Sequence, residues 1–268
     1  MAAREAVPGE GKPGRSPANR SLERGIEILR AFRPGSELLA NGELAERTGL
    51  SRSTVSRLTQ TLVGVGMLQL DSTRRAYRLA PAVLSLAHAM RTGSRVLSIA
   101  APKMRALAEH ERINVGLAAP DRDEMVYLES IRYNRRVALR NVLSGQRVPM
   151  ELTSLGRAYL ATAPEPRRKV LFSLFKRRRG AQWPHIAAAI EQAIRDVEAR
   201  GFCAASWQPE VVALAAPLRT VAGTYALNVS VSTNEPIAAV VRQFSPRLLG
   251  LLKDLQRSVA AEELERAS

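Results

Sequence analysis

The sequence predicts an α+β chain that opens with a winged helix-turn-helix and continues into a larger domain of helices and antiparallel strands. Three observations predict it. Residues 41–62 read as two short helices joined at Gly49, the second with a dry face and an acid-free polar face. Residues 67–79 alternate like a β-hairpin directly after that helix. From Ile113 onward, alternating runs and turn clusters are interspersed with helical periodicities.

Residues 1–20 are rich in Gly, Pro and Arg and lack an apolar core, so they read as a disordered, mildly basic arm rather than a signal peptide. A helix over 21–32 follows. Ser21 can cap it, Leu22, Ile26, Leu29 and Phe32 share its inward face, and Pro34-Gly35 stops it. In the next segment Asn41 can cap a helix on which Leu44 and Ala45 face inward. Gly49 makes the turn, where a left-handed backbone is cheap for glycine. Ser51 can cap the second helix, with Val55, Leu58 and Leu62 on one side. The other side carries Arg52, Ser53, Thr54, Ser56, Arg57 and Gln60. All six donate hydrogen bonds and none is acidic, which suits the major groove of double-stranded DNA. Gly64-Val65-Gly66 ends the helix. Met67–Leu70 and Ala76–Leu79 then form a wing whose tip, Arg74 and Arg75, can reach a phosphate or a minor groove.

A helix from Pro81 to Met90, with Val83, Leu84, Leu86 and Ala87 apolar, leaves surface for a partner chain. A second helix spans 96–111. Strands are expected at 114–119 and 125–131 around the turn Pro120-Asp121-Arg122-Asp123, and again at 136–142, 211–215 and 225–231. Helices are expected at 154–163, after Pro164-Glu165-Pro166, at 186–200, and from Ser245-Pro246 onward. Arg177–Arg179 reads as a solvated loop.

Within Arg147–Arg157, Thr153 or Ser154 can cap a helix whose free N–H groups would seat a carboxylate. Gly156 would admit the ligand to the backbone, and Arg157 adds a cation. The same pattern serves a capped helix with a small packing residue. Arg136 and Arg140 share a strand face that could meet an anion or water. Trp207 could wall a pocket for a ring or simply pack.

Composition bounds the function. Of 268 residues, 46% are hydrophobic, enough for real cores. The net charge of +15 suits a polyanion partner, yet residues 21–80 hold nine Lys/Arg against six Asp/Glu, a net of only +3. The motif, not the charge, therefore locates the DNA site. One cysteine, Cys203, excludes an internal disulfide and fits a reducing cytoplasm. No apolar run approaches the ~20 residues of a membrane span. His88, His110 and His185 lack metal-ligand spacing, and no Gly-rich phosphate loop occurs, so no cofactor is implied and an enzyme is disfavoured.

Several ordered segments resemble the IclR family of bacterial transcription regulators. They are Ser21-Leu22-Glu23-Arg24, Leu44 through Val55, Tyr77-Arg78-Leu79, Asp123 through Glu129, Thr153 through Ala158, and Leu214-Ala215-Ala216-Pro217. The resemblance covers nearly all of the chain from Ser21. It implies a winged helix-turn-helix at 21–80, a linker helix at 81–95, a GAF-like effector-binding and oligomerisation domain at 96–260 and a tail at 261–268. It implies a homodimer or a tetramer built as a dimer of dimers, a pseudo-palindromic operator, and repression or activation controlled by a small organic acid. The pocket it implies includes Ser154, Leu155 and Gly156 and the strands around Ala213 and Ser230. The chain departs from the family pattern at Ser206–Ala213, which is shortened, with Ala213 where cysteine or serine is common; this implies a drier pocket. The Thr-Ser-Leu-Gly-Arg form is similar to members that sense aromatic acids, pointing to aromatic-acid or other carbon-source catabolism. The alternatives are a regulator without effector response, a metabolic enzyme with an appended helical domain, and a winged helix used for protein contacts.

Overall fold

The computed structural model describes residues 19–133 and 143–267. Most of the expected arm, and the expected strand at 136–142 with Arg136 and Arg140, lie outside the described residues. The chain divides into two compact units, with the break between Arg91 and Thr92.

The first unit contains α1 (Arg20–Ala31), β1 (Leu39–Ala40), α2 (Asn41–Thr48), α3 (Arg52–Gly64), β2 (Leu68–Asp71), β3 (Ala76–Leu79) and α4 (Ala82–Thr92). Its core gathers Ile28, Phe32, Leu39, Leu44, Val55 and Leu68. The wing is as expected, but β1 joins it as a third strand, giving the antiparallel order β1-β3-β2. Two expectations for α1 are corrected. Asn19, not Ser21, is its cap: the Asn19 side chain accepts from Ser21 N–H at 3.0 Å and Leu22 N–H at 3.1 Å. Gly25, Ile28 and Ala31 are the buried residues within the helix, and of the expected inward face Leu29 and Phe32 pack into the core while the other two residues do not. Leu22 and Ile26 are 65% and 45% exposed.

The second unit contains α5 (Arg95–Glu111), β4 (Asn114–Asp121), β5 (Glu124–Ile131), β6 (Arg147–Pro149), α6 (Ser154–Leu160), α7 (Glu165–Arg179), α8 (Trp183–Arg200), β7 (Cys203–Gln208), β8 (Val211–Thr220), β9 (Gly223–Ser232) and α9 (Ile237–Ala267). The strands form one antiparallel sheet in the order β6-β5-β4-β9-β8-β7. Both faces are covered. Val115, Leu117, Leu214, Leu227 and Val229 pack with α5 and α9. Ala118, Cys203, Ala215 and Ala226 pack with α6, α7 and α8. Antiparallel strands with helices on either side give the expected α+β architecture.

Three readings are corrected here. Arg177–Arg179 is not a loop but the end of α7. The last helix begins at Ile237, and Pro246 lies within it. That helix also runs through residues 261–267, where a tail was expected.

The end of α7 is tied to the chain ahead of α6. Glu151 is fully buried, and its Oε1 accepts from Arg179 at 2.8 Å (Nε) and 2.7 Å (Nη2). Arg178 pairs with Asp123 in the β4–β5 turn. Removing a buried carboxylate strands its cation. Glu151→Ala should therefore cost about 2 kcal/mol in urea unfolding. The full penalty is not reached because Arg179, 24% exposed, can turn toward water.

Candidate nucleic-acid interface and effector site

The outer face of α3 is built by what its inner face buries. Val55 and Thr59 are fully buried, and the Thr59 hydroxyl donates to the Val55 carbonyl at 2.9 Å. A hydroxyl inside this core is satisfied by its own helix, a back-bond that spacing alone does not reveal. Ser51 caps α3 as expected, accepting from Thr54 N–H at 3.3 Å. Arg52, Ser53, Arg57 and Gln60 are left exposed, with Thr54 and Ser56 half-buried at the margin. Gly49 closes α2 at φ 71°, its N–H donating to the Ala45 carbonyl at 2.9 Å.

Asn41 does not cap α2. Ala40 pairs with Ala76 in the wing sheet, so the strand runs straight into the helix and Asn41 falls in its first turn. Glu43 reaches back instead, accepting from Ala40 N–H at 2.8 Å. Asn41 turns toward α3, its Nδ2 donating to the Arg52 carbonyl at 3.4 Å. At the wing tip Arg74 and Arg75 are exposed. Asp71 accepts from Arg74 N–H at 3.0 Å, and Arg75 adopts a left-handed backbone at φ 50°. Arg78, exposed on β3 opposite Gln69, adds a wing cation that was not singled out in the sequence.

In the second unit Thr153, Gly156 and Arg157 at the start of α6 are engaged by their own chain. Thr153 is the cap: its hydroxyl accepts from Gly156 N–H at 3.2 Å and donates to the Pro149 carbonyl at 2.9 Å. Ser154 and Leu155 are buried. Gly156 makes room for backbone rather than ligand, since a Cβ there would lie 2.0 Å from the Met150 carbonyl oxygen. Arg157 Nε donates to the Glu151 carbonyl at 3.3 Å, and burial lowers the guanidinium's pKa. The reading of Gly156 as a packing residue is therefore the one the geometry favours.

Ala213 and Ser230 do come together. They are cross-strand partners, and the row extends from Asn114 through Ser230 and Ala213 to Ala205. The neighbouring row is Gly116, Asn228, Ala215 and Cys203. Trp207 lies on β7 beyond Ala205, half-buried against the α6–α8 core. Arg140 falls outside the described residues.

The same face holds polar groups that sequence reasoning missed. The space above Gly116 is filled by Asn228 and Tyr127: a Cβ there would lie 2.5 Å from both Asn228 Oδ1 and Tyr127 Cε1. Asn228 is only 4% exposed, and its Nδ2 donates to the Tyr127 hydroxyl across a long 3.5 Å. Among the described residues, Asn228 Oδ1, Asn114 Oδ1 and Arg132 Nε are buried with no partner. Burial pushes the Tyr127 phenol up to about 12, against the opposing pull of Arg132 and Asn228. Burial likewise lowers the Arg132 pKa, with Tyr127 opposing. A signal did exist in the sequence: Asn228 interrupts an apolar strand.

Residues 21–72 match the IclR helix-turn-helix domain, and residues 88–261 match the domain described as bacterial transcriptional regulator IclR C-terminal. The chain belongs to the IclR family of bacterial transcriptional regulators. It is 31% identical over 247 residues to the HTH-type transcriptional regulator TsaQ1/TsaQ2 of Comamonas testosteroni, covering 90% of this chain and 88% of that protein. It is 27% identical over 241 residues to the Pca regulon regulatory protein of Pseudomonas putida, covering 88% and 82%. The crystal structure of an IclR family transcriptional regulator from Brucella abortus superposes with a TM-score of 0.84 at 32% identity, covering 95% of this chain and 97% of that one. An IclR homolog from Microbacterium hydrocarbonoxydans, complexed with 4-hydroxybenzoate, shares the fold at a TM-score of 0.65 and 22% identity, covering 88% and 99%. Among the described residues no helix is long and apolar enough to cross a membrane, and no group of three or more His, Cys, Asp or Glu could hold a metal ion.

Two expected outcomes follow from this geometry. Gly156→Ala should lower stability by about 1–3 kcal/mol, because the backbone of Met150 cannot give way as a side chain would; thermal unfolding reads it. The Cys203 thiol, pushed up to about 12 mainly by burial, with Arg157 opposing, stays protonated at pH 8. A chromogenic disulfide reagent should label it at least about 100-fold more slowly in the folded chain than in urea.

Proposed function

We propose that this regulator binds a pseudo-palindromic operator as a homodimer, or as a tetramer of two such dimers, and that a small carboxylate effector controls the binding. The observation that carries the DNA half is the exposed, acid-free face of α3, where Arg52, Ser53, Arg57 and Gln60 stand clear of the core and Thr54 and Ser56 flank them. Arg74 and Arg75 on the wing supply phosphate or minor-groove contacts. Support for a partner chain comes from α4, which buries none of its residues and exposes Leu84 by 74%, Leu86 by 57% and Met90 by 51%. Acting on DNA places the protein in the cytoplasm, and its work is binding rather than catalysis.

The effector half rests on the face of the second unit's sheet that carries Ala213, Ser230 and Trp207 beside buried polar groups without partners. The Pca regulon regulatory protein and the homolog complexed with 4-hydroxybenzoate support an aromatic acid as the effector class. A link to aromatic-acid or other carbon-source catabolism follows. The effector acts by binding one dimer geometry more tightly than another; a coupling of about 1–3 kcal/mol suffices.

An electrophoretic or anisotropy titration with the DNA upstream of the protein's own gene tests this. Binding should be specific and fall steeply with salt. Arg57→Ala should weaken it by about 10–100-fold while leaving effector affinity intact. Unchanged operator affinity in that variant would overturn the assignment of α3.

A further inference from the structure

The polar groups around Gly116 specify more than a carboxylate. Donors and acceptors are both left over. Arg132 Nε has no partner. Among the described residues the Tyr127 hydroxyl receives only the long contact from Asn228 Nδ2, at 3.5 Å, which leaves its own proton free to donate. Asn228 Oδ1 and Asn114 Oδ1 are buried acceptors with nothing to accept. Such atoms are rare in a folded interior and each costs the desolvation it does not recover.

These groups share one place. Asn114 is two residues before Gly116 on β4, hence on the same side of the sheet, and it pairs across with Ser230. Gly116 pairs with Asn228, and the Tyr127 ring packs against it. Arg132 follows Ile131, the residue opposite Val115, and is near enough for its charge to act on Tyr127.

We propose that this cluster recognises a hydroxy acid, with the ligand's carboxylate taken by Arg132 Nε and the Tyr127 hydroxyl, and the one proton of the ligand's hydroxyl shared between the carboxamide oxygens of Asn228 and Asn114. A carboxylate without a hydroxyl fills the donors and leaves both acceptors empty. Among the described residues the cluster holds one cation and no carboxylate, which suits a net anion rather than a zwitterion. Gly116 is the enabling residue, because any side chain there would displace the Asn228 carboxamide and the Tyr127 ring.

The inference rests on the effector reading above, and the test separates the two. Isothermal titration of the full-length protein would compare butyrate with 3-hydroxybutyrate, succinate with malate, and benzoate with 4-hydroxybenzoate. The hydroxylated member of at least one pair should bind about tenfold or more tightly than its partner. Asn228→Leu should abolish that preference, bringing the hydroxylated acid down to the affinity of its deoxy analogue; Asn114→Leu serves if the first variant fails to fold. Arg132→Gln should weaken both members of the pair together. Acids that bind without any hydroxyl preference, or a preference that survives both asparagine variants, would overturn the hydroxy-acid site and leave effector control standing. If none of the six acids binds while the operator is still bound specifically, both the site and the effector reading fail.

Discussion

The antiparallel register of β4, β9 and β8 is the constraint on which the second unit depends. Both faces of the sheet are covered, so the alternation of each strand feeds two different interiors. Val115, Val229 and Leu214 go to the side of α5 and α9, while Gly116, Asn228 and Ala215 go to the side of α6. A slip of one residue would exchange these sets, placing the Asn228 carboxamide in the aliphatic core and a valine against Tyr127. The register thus fixes where polar atoms are shut away from water, and several of them are left without partners among the described residues.

The chain around α6 shows the opposite economy. Thr153 spends its hydroxyl on Gly156 and Pro149, Gly156 receives the Met150 backbone, Arg157 holds the Glu151 carbonyl, and Glu151 holds Arg179. A helix start of this composition looks available for an anion, yet Thr153, Gly156 and Arg157 secure α6 to the preceding loop. In the first unit the logic is similar. The pairing of β1 with β3 sets where α2 begins, and burial of Val55 and Thr59 turns Arg52, Arg57 and Gln60 outward.

Local signals were legible wherever the chemistry is local. The Gly49 turn, the Ser51 cap, the acid-free side of α3 and the hairpin of β2 and β3 depend on neighbours within a few residues, and they stand where the sequence placed them. The errors have the same origin in reverse. Which of its apolar residues α1 turns inward depends on what packs against it. The cap of α2 depends on a strand partner 36 positions away, in the pair Ala40 and Ala76. The end of α7 looked like a solvated basic run because its carboxylate partners, Glu151 and Asp123, lie far back in the sequence.

The sequence by itself determined a DNA-reading helix, its wing, an α+β second domain and the family, because those rest on short-range periodicity and ordered motifs. The resemblance named the strands around Ala213 and Ser230, and the register makes those two residues cross-strand partners. Only the tertiary structure decided that Gly156 packs against the Met150 backbone and that Asn228, Tyr127, Arg132 and Asn114 form one polar cluster. The reason is physical. These four residues lie on three strands and the end of one of them, and nothing in their spacing shows which face each takes or which buried atom lacks a partner until the strands are set in register.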